Sequence, residues 1–242
     1  MAEETTTPSL RGETNNRALS HGAPTASLAI YIAVFLLVWS LRATVFIHID
    51  ESIETAGWKN VYSNALKFII WVVPVFITLS VWGLRPLTYT KLTTRVDQRG
   101  LIAGAIVVVV WLSLVVLGEA VLSHRNVGAM LRQRSSEWLS ILVGVSASPI
   151  WEEILFRGFF LNQLNGRIRF WNANVIAALL FMLVHWPYWV SKNGFSTGVI
   201  KDSINVFLLG CLFGWLMKKS NSLWPPIGAH IANNFLSGLI HV

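Results

Sequence analysis

From Leu101 to Leu122 the chain runs for 22 residues with a single charge, Glu119, and with Val107, Val108, Val109 and Val110 in succession near its centre. A hydrocarbon layer about 30 Å thick is crossed by roughly 20 apolar helical residues. In lipid a helix satisfies its own backbone polar groups, which an irregular segment cannot do. Six further apolar segments follow the same pattern: about Ser27 to Ile47, Val61 to Leu84, Trp138 to Leu164, Phe170 to Val190, Val199 to Met217, and Leu223 to the C-terminus. None alternates as a membrane β-strand would. The expectation is an all-α integral membrane protein, a bundle of seven transmembrane helices, or eight if one segment is split. Pro74 predicts a kink in the second segment.

Composition agrees with this reading. Charged residues make up 13% of the 242-residue chain and hydrophobic residues 54%, and the mean hydropathy is +0.56. Soluble domains carry about 25% charged residues. The twelve Trp fall mostly near run ends, as an interfacial aromatic belt requires. The net charge of +7 comes from basic connectors: Arg85, Lys91, Arg95 and Arg99 in one, Arg167 and Arg169 in another, Lys218 and Lys219 in a third. That distribution fits cytoplasmic loops under the positive-inside rule and gives no reason to expect a nucleic-acid partner. The expected topology is multi-pass with a cytoplasmic N-terminus, in the cytoplasmic membrane if the source is bacterial. Residues 1–25 read as a disordered polar tail without a secretory signal. Residues 26–137 form N-terminal membrane helices, and 138–242 the helices that carry the polar residues, within one membrane domain. The connector from Ser123 to Glu137, with Arg125, Arg132 and Arg134, reads as an amphipathic interfacial helix or a miscounted span. Cys211, the single cysteine, excludes an internal disulfide and a Cys-rich metal site.

Ionisable groups inside membrane segments are expensive and so are functional candidates. They concentrate in the second half: Glu152, Glu153 and Arg157, then His185, then Asp202 and Asn205, then His230, Asn233 and Asn234. The first half offers only Arg42, Lys67 and Glu119, without clustering. At about 100° per residue, Glu153 and Arg157 lie one turn apart and can pair. Glu152 is about 140° from Arg157 and is left without that partner, a desolvated carboxylate suited to act as a general base. His230 and Asn234 share a face one turn apart, bordered by Asn233. His185 stands just before Trp186 and Pro187. Singly, each has a structural reading: a supporting ion pair, interhelical hydrogen bonds, or, for Asp202 and Asn205, capping. Together they bring an acid, two imidazoles and a carboxamide from three helices, which amide hydrolysis can use as base, electrophile and oxyanion donors.

Glu152-Glu153-Ile154-Leu155-Phe156-Arg157 resembles the EExxxR motif of the CPBP family, which groups type II CAAX prenyl endopeptidases with bacteriocin-processing and abortive-infection proteins. Phe181 to His185 resembles its FxxxH motif and His230 to Asn234 its HxxxN motif, in the same order. The resemblance covers roughly Trp138 to Val242; the first half matches only in hydrophobicity. It implies about eight helices around a water-accessible cavity and a glutamate-dependent, metal-independent endopeptidase without cofactor. Glu152 and His185 would activate water, His230 and Asn234 would form the oxyanion hole, and Glu153, Arg157 and Phe181 would support them. The implied substrate is a membrane-associated protein or peptide, cut near its C-terminus and lipidated where it is a prenylated CAAX protein. The residues leave three alternatives open: a zinc protease, since Glu and His are acceptable ligands; a non-proteolytic scaffold or immunity protein of the same fold; and a transporter using the acids as a proton relay.

Overall fold

The computed structural model describes residues 25–123 and 138–240. The expectations for the polar tail and for the connector after Ser123 fall outside the described residues. Within them the chain is an all-α membrane protein, and each of the seven apolar segments contains a helix. The elements are α1 Thr25–Thr44, α2 Ile47–Glu51, α3 Ala56–Lys67, a π-helical stretch Phe68–Val72, and α4 Val73–Val81. Then come α5 Pro86–Tyr89, α6 Gln98–Ser123, α7 Trp138–Glu153, a second π-helical stretch Ile154–Leu161, and α8 Asn162–Asn165. The last four are α9 Phe170–Leu183, α10 Trp186–Asn193, α11 Thr197–Ser220 and α12 Trp224–Ile240.

Five helical runs among the described residues are long and apolar enough to cross a membrane: Ala26–Thr44, Gly57–Val81, Gln98–Gly118, Phe170–Asn193 and Thr197–Ser220. α7 continues into the second π stretch and carries Glu152, Glu153 and Arg157, and it packs against the 17-residue α12. The second apolar segment starts earlier than its composition suggested, because Trp58, Lys59 and Asn60 already belong to α3. Pro74 stands at the start of α4, immediately after the first π stretch. Proline has no N–H to donate to the turn before it, and the widened turn lies where that bond is missing. The fifth segment is not one uninterrupted helix. It breaks at Val184 and His185, between α9 and α10, where Pro187 cannot continue the hydrogen-bond ladder.

The core is aromatic. Phe35 of α1, Trp71, Phe156 and Phe181 form a chain of edge-on rings with centroids 5.5, 5.6 and 5.1 Å apart. Lipid tails are as apolar as these rings, so the gain comes from ring geometry and dense packing more than from water exclusion. Two small-residue pairs bring backbones together. Gly210 and Gly214 of α11 meet α9, and Gly100 and Gly104 of α6 meet the C-terminal end of α11. A Cβ on Gly210 would lie 2.9 Å from the Ala178 Cβ and 3.1 Å from its Cα. At Gly214 it would overlap the Asn174 carboxamide, which donates to the Cys211 carbonyl at 2.9 Å. Gly210→Ala is therefore expected to push α11 from α9 and to cost about 1–3 kcal/mol. A thermal unfolding series in detergent, with Gly198→Ala on the roomier first turn of α11 as control, measures this; equal melting points would contradict it.

Candidate active site

Six parts of the chain deliver the site. α7 ends in Glu152 and Glu153, and the second π stretch begins immediately after them and carries Arg157. α9 supplies Phe181, the α9–α10 break supplies His185, α12 supplies His230, and α3 ends in Lys67.

Glu153 is fully buried and acts as an anchor. Its Oε1 accepts from Arg157 Nη1 at 3.1 Å and from His230 Nδ1 at 2.8 Å. Arg157, 2% exposed, also donates through Nη2 to the Gly210 carbonyl at 3.1 Å. Its guanidinium lies 4.4 Å from the Phe181 ring centre and 5.2 Å from that of Phe213. Both are within cation–π range. The pairing expected from the one-turn spacing is present, but the local geometry is not that of a regular α-helix. From Ile154 onward the helix is wound with i to i+5 bonds. Positions five apart are thereby brought closer to one face than at 100° per residue, so the 140° separation of Glu152 from Arg157 is not maintained.

The expectation that Glu152 is unpaired is overturned. Its Oε1 lies 2.7 Å from Lys67 Nζ and accepts from Ser148 Oγ at 2.7 Å, while Lys67 also donates to Ser148. Its Oε2 faces His230 Nε2 at 3.7 Å, too long for a direct hydrogen bond. The sequence reading missed Lys67, which sat alone in a run 85 positions from Glu152. The signal was available, because an ammonium inside an apolar segment requires a counter-ion. Trp71 and Trp39 complete its surroundings, with ring centres 4.7 and 5.6 Å from Nζ.

The imidazoles can be assigned by their partners. His185 Nδ1 lies 2.8 Å from the Phe181 carbonyl, an acceptor only, so Nδ1 carries the proton and a neutral ring leaves Nε2 bare. His185 lines a cavity of about 530 Å³ together with Lys67, Trp39, Trp71 and Val184. Trp39 Nε1 donates to the Val184 carbonyl at 2.9 Å, tying α1 to the helix break beside His185. His230 Nδ1 donates to the Glu153 carboxylate, so its Nε2 points toward Glu152. Phe181 separates the two imidazoles, edge-on to each at 5.1 and 5.7 Å between centroids, and Phe213 stacks on His230 at 4.9 Å.

Asn234 is partly buried on α12 and accepts from Asn233 Nδ2 at 3.4 Å; it makes no hydrogen bond to Glu152, Glu153 or His185. Asp202 and Asn205 are exposed on α11. With both imidazoles neutral, Lys67 and Arg157 balance Glu152 and Glu153. No set of three or more His, Cys, Asp or Glu among the described residues is arranged to hold a metal ion. The Lys67 ammonium already occupies the cation position at Glu152. The arrangement offers a carboxylate, a bare imidazole nitrogen and a cation beside one cavity.

Residues 134–236, which contain all three motifs, match the family model described as "Type II CAAX prenyl endopeptidase Rce1-like". The resemblance read from the motifs stands on that segment. "Putative membrane peptidase YdiL" of Bacillus subtilis (strain 168) is 28% identical over 109 residues, 45% of this chain and 40% of that protein. The match thus spans less than half of that relative. No solved structure matches.

Proposed function

We infer that a chain whose site-bearing segment matches this peptidase family is itself an intramembrane endopeptidase, hydrolysing a peptide bond near the C-terminus of a membrane-associated protein or peptide. The observation that carries the reading is the Glu152 carboxylate, held by Lys67 and Ser148, beside a cavity whose wall presents His185. A water between Glu152 and His185 Nε2 gives up a proton to one of these acceptors as its oxygen attacks the scissile carbonyl carbon. The carbonyl π electrons move to oxygen. Collapse of the tetrahedral species breaks the C–N bond, and the leaving amine takes the proton from the group that stored it. The products are a carboxylate and an amine, and no redox change occurs.

His230 and Asn234 are the proposed oxyanion donors. His230 can serve only with a proton on Nε2, hence as an imidazolium, because Nδ1–H is committed to Glu153. Glu152 and Glu153 flank the ring on its two nitrogen sides. Asn234 requires its carboxamide to turn from Asn233 toward the substrate. Glu153, Arg157 and Phe181 hold His230 and His185 in place. Prenylated CAAX proteins are the substrate class suggested by the family description.

The test is a comparison of C-termini across the membrane proteome of cells carrying the wild-type chain or Glu152→Gln. One or more proteins shortened only with the wild type support the reading, and identical sets of C-termini overturn it. Lys67→Met is expected to lower cleavage about 10- to 100-fold, the range of a hydrogen bond to a charged group, with Lys67→Arg retaining more. Full turnover by Lys67→Met would show that the pair has no part in placing Glu152.

A further inference from the structure

The two ends of the bundle differ in how they are closed. At one end the α4–α6 connector, the α11–α12 turn and α8 are locked together. Leu223 N donates to the Lys91 carbonyl at 3.1 Å, and Asp97 N to the Ser220 carbonyl at 2.8 Å. Asn162 Nδ2 donates to the Tyr89 carbonyl at 3.0 Å, and Trp224 Nε1 to the Leu92 carbonyl at 2.9 Å. A Cβ on Gly100 would lie 1.9 Å from the Lys219 carbonyl oxygen, so the backbones meet without room for a side chain. Along the stretch that leads from Glu153 toward this end, Leu155, Phe156, Phe159 and Phe160 have no exposed surface. The cavity beside the site reaches the opposite end. Its wall there comes from Arg42 near the end of α1, Lys59 and Ser63 in the first half of α3, and Tyr188 and Trp189 of α10. Lys67 lies about 12 Å along α3 from Lys59 and about 20 Å from Val81, where the same helical run reaches the locked end.

The ends differ in charge as well. The locked end carries Arg85, Lys91, Arg95 and Arg99 in one connector, Arg167 and Arg169 in the next, and Lys218 and Lys219 where α11 stops. Asp97 is the one acidic residue among those segments. The open end has Arg42, Lys59, Lys192 and Lys201, in company with Asp50, Glu51, Glu54 and Asp202. The locked end holds more Lys and Arg even when Arg125, Arg132 and Arg134, outside the described residues, are counted with the open end. Short connectors rich in Lys and Arg stay cytoplasmic.

We propose that the cavity opens on the extracytoplasmic face of the membrane, so that the chain it takes in is an exported polypeptide segment and not a cytoplasmic tail. Charge assigns the locked end to the cytoplasm, and the packing then puts the mouth on the other side. The N-terminal end of α1, at Thr25, lies away from Arg42 and falls on the cytoplasmic side by the same geometry. A polypeptide approaching from the cytoplasm would meet the hydrogen-bonded connectors and the buried Phe156, Phe159 and Phe160 before it met Glu152. Tyr188 and Trp189 at the mouth, with Trp58 exposed near the start of α3, supply interfacial aromatic rings at the open end. The nature of the occupant rests on the peptidase reading, whereas the direction of opening is independent of it.

Thiol accessibility tests the direction. In full-length Cys211→Ser protein, which lacks any other cysteine, a single cysteine is placed by Lys59→Cys at the mouth or by Arg95→Cys at the locked end, both exposed positions. Spheroplasts of a bacterial host expressing either variant are treated with a membrane-impermeant sulfonated maleimide before and after permeabilisation. Lys59→Cys is expected to react in intact spheroplasts, and Arg95→Cys only once they are permeabilised. Arg95→Cys reacting first, both reacting together, or Lys59→Cys staying silent until permeabilisation overturns the proposal. The comparison of C-termini between wild type and Glu152→Gln supplies the second reading. Proteins shortened only with the wild type are expected to carry that terminus outside the cytoplasm, and a set of shortened cytoplasmic tails overturns the choice of substrate. Identical sets of C-termini, with Lys59→Cys still labelled from outside, remove the peptidase reading and leave the direction of opening standing.

Discussion

Glu152→Ala should lower the cleavage rate by about 10²- to 10⁴-fold, the contribution of a positioned general base, with the protein still folded. Glu152 differs from its neighbour in what depends on it. Its Oε2 faces His230 Nε2 at 3.7 Å, beyond hydrogen-bond distance, whereas Glu153 holds Arg157 and His230 together. Removing Glu152 leaves the Lys67 ammonium in contact with Ser148, Trp71 and Trp39, so part of its environment survives. The measurement is single-turnover cleavage in proteoliposomes alongside thermal unfolding of the same preparation. His185→Ala should fall in the same range. Full activity in either variant would remove the residue from the mechanism.

Arg157→Met should act differently, on folding first. Taking one member from a buried pair costs about 3–5 kcal/mol because the other charge remains without compensation. Here Glu153 has 0% exposed side chain and its Oε2 has no hydrogen-bond partner among the described residues. The Gly210 carbonyl would lose its donor as well. The expected drop in melting temperature is on the order of 10 °C, at a few degrees per kcal/mol for a chain of this size. The double variant Glu153→Gln/Arg157→Met should be less destabilised than Arg157→Met alone, since it buries no uncompensated charge. A double variant as unstable as the sum of the two single variants would show that the pair contributes no coupling.

Much of the molecule could be read from residue spacing because the relevant contacts are local. Glu153 and Arg157 are four apart and pair as expected. The α1, α6 and α11 runs follow the apolar segments closely, whereas the α9–α10 break before Pro187 falls inside a segment expected to be continuous. What could not be read depends on tertiary placement. Lys67 reaches Glu152 only because α3 and α7 pack together. Helical angles taken from a regular α-helix misplaced Glu152 relative to Arg157, since no composition rule marked Ile154–Leu161 as π-helical. The Gly210/Gly214 and Gly100/Gly104 pairs were visible as small residues four apart. Their partners, Ala178, Asn174 and the end of α11, were not.

The wide winding after Glu153 has a consequence for sequence length. A π-helical stretch accommodates a residue that a regular α-helix over the same rise would not, so it corresponds to a tolerated single-residue insertion. Removing one residue between Ile154 and Leu161 would let the stretch relax into ordinary α-helix while the apolar character of the segment stayed the same. Everything beyond the stretch would then keep its place relative to what precedes it, because the residue lost is the one the wide turn absorbed. Inside the stretch the spacing would change: with Ile154 or Leu155 deleted, Arg157 would follow Glu153 by three positions and Glu152 by four, which shifts the guanidinium toward Glu152. The motif is therefore a matter of frame as well as of residue identity: the flanking helices would stay in place while the choice of carboxylate facing the guanidinium changed.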